Sequence, residues 1–184
     1  MADARSRLIE IVKARSFSSG SHMRLVSGRS TTFYFDMKPT MLHPEGAELI
    51  ARLILEALRG SRAELVGGLE MGAVPLATAV SVASQAQGRP LPAFFVRKQA
   101  KEHGARKLVE GLAPGESLAG KRVVILEDVT TTGGSAMKAI EAAKAEGAII
   151  ERVISIVDRQ EGAAAAFKAA GIPFTALLTA ADFR

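Results

Sequence analysis

From residue 64 onward, short runs of apolar residues alternate with stretches at helical spacing, and this alternation restricts the fold more than any other feature of the chain. Glu64-Leu65-Val66-Gly67, Ala93-Phe94-Phe95-Val96, Arg122-Val123-Val124-Ile125-Leu126, 149–157 and 174–178 read as strands. Helices are predicted between them over 75–86, 134–146 and 161–170, the second of these ended by Gly147. A strand that is apolar along its whole length, rather than at every second residue, is buried on both faces. A parallel sheet covered by helices satisfies that demand. The predicted fold class is therefore α/β, with a central, mainly parallel sheet flanked by helices.

Upstream, Leu8, Ile9, Ile11 and Val12 fall at helical spacing, and Ser16-Phe17-Ser18-Ser19-Gly20 reads as the end of that helix. Arg24-Leu25-Val26-Ser27 and Thr31-Thr32-Phe33-Tyr34-Phe35 are predicted to form a hairpin around Gly28-Arg29. Pro44 then opens a helix through Leu49, Ile50, Leu53 and Ile54 that Gly60 closes. With 184 residues and neither an internal repeat nor a linker, the chain is expected to form a single domain, 1–184.

Composition narrows the chemistry. Hydrophobic residues at 48% and charged residues at 23% are globular proportions, and no apolar run reaches the roughly 18 residues of a membrane span. The absence of cysteine excludes disulfides and thiolate metal sites. With no secretory pattern at the N-terminus, this predicts a cytoplasmic protein. The net charge of +5 could favour nucleic acid, a membrane surface or a small anion. Its distribution decides: basic residues are scattered except in the segment 97–107, and aromatics are only 5% with no tryptophan. That is a poor platform for stacking bases, so neither nucleic acid nor membrane is expected as a partner.

The densest chemistry follows the strand at 122–126. Glu127 and Asp128 are delivered together, and Val129-Thr130-Thr131-Thr132-Gly133-Gly134-Ser135 then turns into a helix. Free N–H groups and the positive end of a helix dipole make such a turn an anion site. Glycines let the backbone approach phosphate oxygens, and hydroxyls add donors. The glycine spacing fits neither a nucleotide-triphosphate loop nor a dinucleotide fingerprint. Glu127 and Asp128 would repel phosphate, so they should face sugar hydroxyls, a bound Mg²⁺ or a cationic sugar. A lone Asp or Thr here would be an ordinary capped strand-to-helix turn, whereas the whole segment resembles the ribose-phosphate signature of the type I phosphoribosyltransferases.

Three further segments are similar to the orotate phosphoribosyltransferases within that family, in family order along nearly the whole chain. Phe95-Val96-Arg97-Lys98-Gln99-Ala100-Lys101-Glu102-His103-Gly104 resembles their mobile catalytic loop. Ser27-Gly28-Arg29-Ser30-Thr31-Thr32-Phe33-Tyr34-Phe35-Asp36 resembles their base-covering segment, and Asp158-Arg159-Gln160-Glu161 their turn beside the base. The resemblance implies the type I fold, with about residues 1–40 as a small N-terminal hood over the active site. It also implies transfer of ribose 5-phosphate from 5-phosphoribosyl 1-pyrophosphate to orotate, giving orotidine 5'-monophosphate and pyrophosphate in pyrimidine biosynthesis. Lys101, Glu127 and Asp128 would be catalytic. Arg97, Lys98, Lys101 and His103, with Glu127 through Ser135, would bind the phosphoribosyl donor; Tyr34, Phe35, Thr131 and Arg159 would bind orotate. Mg²⁺ would arrive on the pyrophosphate rather than in a protein cage, and Lys98 would reach a neighbouring subunit's site in a homodimer.

The residue types suit that chemistry, because departing pyrophosphate needs cations while the electron-poor ribose left behind needs anions. A guanidinium at Arg159 can grip the orotate carboxylate through paired hydrogen bonds; taken alone it could equally be an ion pair with Asp158 or Glu161. In the same way, Arg97 through Lys107 alone could be a solvated loop. This chain has Val26 and Gly72 where many members carry lysine, and Glu127 where aspartate is usual. A purine phosphoribosyltransferase and a regulator that senses the donor while binding nucleic acid are the competing readings.

Overall fold

The computed structural model describes residues 3–24, 30–99 and 108–183. Its centre is a six-stranded sheet in the order β5-β4-β3-β6-β7-β8, made by β3 (Leu65–Leu69), β4 (Ala93–Val96), β5 (Val109–Glu110), β6 (Arg122–Thr130), β7 (Ile149–Asp158) and β8 (Phe174–Thr179). All neighbouring pairs are parallel except β4 and β5. The chain moves outward from β3 to β4, then crosses back to place β6 on the other side of β3. Such a reversal opens a crevice at the carboxyl ends of the strands.

Residues on β6 show why both sheet faces need cover. Val124 and Leu126 enter one core cluster with Leu49, Ile50 and Ile54 of α3 (Pro44–Ala57) and Leu76 and Val80 of α4 (Ala73–Ala86). Val123 and Ile125 enter the other with Ala136, Ala139 and Ile140 of α5 (Gly134–Ala145) and Phe167 of α6 (Ala163–Ala169). Each fully buried Leu or Ile contributes about 1.5–3 kcal/mol, so the continuous apolar run is explained by two-sided burial.

The N-terminal part contains α1 (Ala4–Arg15), a hairpin of β1 (Phe17–Arg24) and β2 (Ser30–Phe35), and the short α2 (Lys38–Met41). β1 starts where the sequence suggests a helix terminator, because Phe17 pairs opposite Phe35 and their rings stack at 5.1 Å. The expected strand at 24–27 is thus displaced toward the N-terminus, and residues 25–27 lie outside the described residues. The β6 strand also runs further than expected. Its pairing with β7 persists to Thr130 opposite Asp158, so Glu127 and Asp128 belong to the strand itself. Chain ends are tied together by Arg5, whose guanidinium donates to Asp182 at 2.7 Å and to the Leu177 carbonyl at 3.1 Å.

Candidate active site

A cleft of about 210 Å³ lies at the carboxyl ends of β3 and β6, at the topological reversal. One wall is the pair Glu127 and Asp128, and Ser135 in the first turn of α5 adjoins them. Glu70, Met71 and Gly72 also line it, with Lys38 and Lys98 supplying the cations. Cations and carboxylates thus face one space, as the sequence suggests.

The two carboxylates differ. Glu127 is 6% exposed, and its Oε2 is buried without a hydrogen-bond partner among the described residues. Burial, followed by the neighbouring charge of Asp128, pushes its carboxyl well above the usual range, toward the neutral form. Asp128 is half-buried, and its Oδ1 accepts the Val129 N–H at 2.9 Å. Gly72 packs directly against that carboxylate: a Cβ there would come 2.7 Å from Asp128 Cγ and Oδ1. A side chain at position 72 therefore requires Asp128 to move.

The turn into α5 depends on Gly133, which has φ +86° and lies against the Phe167 ring, 3.0 Å from where a Cβ would stand. Only glycine adopts that backbone region without strain. No side chain caps the helix and its first turn holds no acid, so the positive end of α5 is presented with Thr132, Gly134 and Ser135 all exposed. Thr130 and Val129 contribute differently from their neighbours. Thr130 is buried at 2%, its hydroxyl lying 3.1 Å from Asp158 Oδ1 in a donor position, and Val129 packs on the core.

Asp158 also accepts the Gln160 N–H at 3.0 Å, while the Arg159 N–H donates to the Thr130 carbonyl and the Ala163 N–H to that of Thr131. This docks the Asp158-Arg159-Gln160-Glu161 turn onto the strand-to-helix turn. Arg159 is 6% exposed, pairs with Glu161 at 2.7 Å and lies 4.8 Å from the centre of the Phe33 ring. It is thus both an ion pair and a buried group stacked on an aromatic face. Tyr34 is 41% exposed, whereas Phe35 turns into the core, 4.9 Å from Phe183. Strand alternation puts Phe33 and Phe35 on one face and Tyr34 on the other, so the expected pair of Tyr34 and Phe35 cannot flank one base. Phe33 is the aromatic beside Arg159.

On the basic loop, Lys98 is exposed at the cleft and its N–H donates to Glu70 Oε1 at 2.8 Å. Glu70 carries no signal in the sequence, since it simply follows a short strand; its peptide bond to Met71 is cis. Arg97 pairs with Glu110 at 3.1 Å and does not line the cleft. Lys38 does line it, bound to Asp36 at 2.8 Å. Lys101 and His103 lie outside the described residues, as does Arg29. Among the described residues no group of three His, Cys, Asp or Glu could hold a metal ion. Donors for a cation carried in by a ligand are nevertheless present, in the unpartnered Glu127 Oε2 and the cleft-lining Asp128.

Residues 40–169 match the phosphoribosyl transferase domain model. The chain is 59% identical over 180 residues to an orotate phosphoribosyltransferase of Rhodopseudomonas palustris, spanning 98% of this chain and 96% of that one. Among solved structures it resembles the Mycobacterium tuberculosis orotate phosphoribosyltransferase in complex with Fe(III) dicitrate, with 39% identity, a TM-score of 0.85 and 98% of both chains covered. The same enzyme in complex with 5-phospho-alpha-D-ribosyl 1-diphosphate superposes with a TM-score of 0.80 at 37% identity, again over 98% of each chain.

Proposed function

The chain belongs to the phosphoribosyl transferase family, among the orotate enzymes, and on that premise we propose that its cleft transfers ribose 5-phosphate from 5-phosphoribosyl 1-pyrophosphate to orotate. The bond from the anomeric carbon to the diphosphate oxygen breaks, its electron pair leaves with pyrophosphate, and a ring nitrogen of orotate forms the new bond. The products are orotidine 5'-monophosphate and pyrophosphate, a step toward pyrimidine nucleotides. The observation that carries this reading is the meeting of the Glu127–Asp128 pair and the uncapped start of α5 at one cleft.

The labour divides by charge. The turn from Thr131 to Ser135 grips the 5-phosphate with its N–H groups and hydroxyls. Glu127 and Asp128 hold the ribose hydroxyls, and the Asp128 carboxylate favours positive charge on the sugar. Lys98, with Lys101 and His103, meets the diphosphate and stabilises the charge that grows there as the bond breaks. Mg²⁺, entering with the diphosphate, would neutralise part of its charge beside Asp128. Arg159 reads the orotate carboxylate, with Phe33 holding its guanidinium in plane and Thr131 and Tyr34 beside the base. About residues 1–40 form a hood over this arrangement.

A homodimer completes the proposal. The groove between α3 and α4, about 760 Å³, exposes Leu42 at 72% and Val82 at 68%, the kind of apolar patch that a stable partner covers. Lys98 lines the cleft of its own chain here, and the loop that carries it would then also reach the site of the neighbouring subunit. The direct test is orotate depletion followed by absorbance, with Mg²⁺, in the presence and absence of the phosphoribosyl donor. Depletion that does not depend on the donor, or none at all, ends the reading. In the same assay Arg159→Ala should raise the orotate KM at least tenfold and leave the donor KM nearly unchanged; equal losses would favour a purine base.

A further inference from the structure

The sheet has a second polar cavity at its other end. About 330 Å³ in volume, it is lined by Arg59, Arg62, Arg122 and Arg152, with Glu151 the lone acid in its wall. The amino ends of β6 and β7 supply Arg122, Glu151 and Arg152, and the turn after α3 supplies Arg59 and Arg62. Glu127 lies five positions beyond Arg122 on β6, about 17 Å along an extended strand, so this cavity is not part of the cleft.

A local irregularity builds it. The pairing of β6 with β7 slips between Val123, opposite Ile150, and Val124, opposite Arg152, which leaves Glu151 as an extra, unpaired residue. A bulge of this kind re-aims side chains, and here it brings the adjacent residues Glu151 and Arg152 into the same cavity. Arg152 Nε and Glu151 Oε2 are buried there without hydrogen-bond partners among the described residues.

The packing role of these arginines accounts for only part of the cluster. Arg152 donates weakly to the Ala57 carbonyl at the end of α3, at 3.4 Å, and Arg59 lies 3.7 Å from Glu56. The nearby Glu64 is occupied by Lys121 at 2.9 Å and by the Arg122 backbone N–H at 3.0 Å. Among the described residues, Arg62, Arg122 and Arg152 form no ion pair. Arginines that line one space repel each other until an anion enters, and their planar forks match phosphate oxygens in pairs.

We propose that this cavity is a second anion site, built for a compact phosphate chain and separate from the catalytic cleft. Four arginines lining one small volume favour linked phosphates over a single carboxylate. The proposal does not depend on which base the cleft accepts.

Calorimetric titration of the full chain with inorganic tripolyphosphate tests it, because the cleft also takes phosphates and the two sites must be counted. The parent protein should show two classes of binding, and Arg62→Gln/Arg122→Gln should lose one class, or weaken it at least tenfold, with kcat and the donor KM unchanged. Hydrogen exchange should report protection on tripolyphosphate addition at residues 59–62 and 150–152 in the parent alone. Should the double variant fold poorly, Arg59→Gln alters only an exposed side chain and should weaken that class at least threefold. A parallel titration with adenosine triphosphate separates the sources: equal affinity means that the phosphate chain alone is read, and tighter binding means a nucleotide. One class in both proteins, protection confined to 127–135, or binding of RNA without tripolyphosphate would each overturn the proposal.

Discussion

At the scale of single residues, Glu127 is a destabilising choice kept at a working position. Its buried carboxyl holds a proton that the unfolded chain releases above about pH 4.3. Stability is therefore greatest below that value and falls as pH rises through the window up to the raised folded-state pKa. Glu127→Gln removes this loss. Melting curves should show the variant gaining on the parent as pH rises above about 4.3, while its kcat falls at least tenfold; a constant gap in Tm would mean that the carboxyl ionises normally. Gly72 acts through its neighbour. Gly72→Ala pushes aside the Asp128 carboxylate 2.7 Å away, a movable side chain, so stability should change by less than about 1 kcal/mol while kcat/KM falls at least tenfold. Denaturant melts alongside steady-state rates separate the two effects.

At the scale of elements, Phe167 links fold to function, because α6 presses its ring against Gly133 while filling the core beneath the sheet. Phe167→Ala should cost about 3–5 kcal/mol and raise the donor KM, as the turn loses its backing; a stability loss with an unchanged KM would show that the turn holds itself. Elements of this kind were legible from the sequence wherever one property decided them. Val123 through Leu126 read as a buried strand because both faces are covered, and Gly133 announced a turn that only glycine makes. The first hairpin was not, since Phe17-Ser18-Ser19-Gly20 has the composition of a turn and is held extended by pairing across to Phe35. Nor could the sequence show Glu70 holding the Lys98 backbone, made where β4 pairs beside β3, or Gly72 against Asp128, made where β6 returns on the other side of β3. The family resemblance set Tyr34 and Phe35 against the base and did not name Phe33, the aromatic beside Arg159, because alternation groups Phe33 with Phe35 without saying which lies nearer the core.

At the scale of the whole molecule, the exposed apolar groove between α3 and α4 leads to a prediction about assembly. Leu42→Asp/Val82→Asp should shift the protein to monomer in sedimentation velocity and remove most turnover; a folded, fully active monomer would show that no residue is shared between subunits. The other consequence comes from the edge strand β5. The Arg97 N–H donates to the Leu108 carbonyl at 2.9 Å, and the Arg97 side chain reaches Glu110 at 3.1 Å, so the two ends of the basic segment are held side by side where β4 pairs with β5. Its length is thereby uncoupled from the architecture. Doubling such a closed span costs only about 0.6 kcal/mol, which leaves evolution free to lengthen, shorten or recharge the segment between Arg97 and Leu108 while the sheet beneath keeps its register.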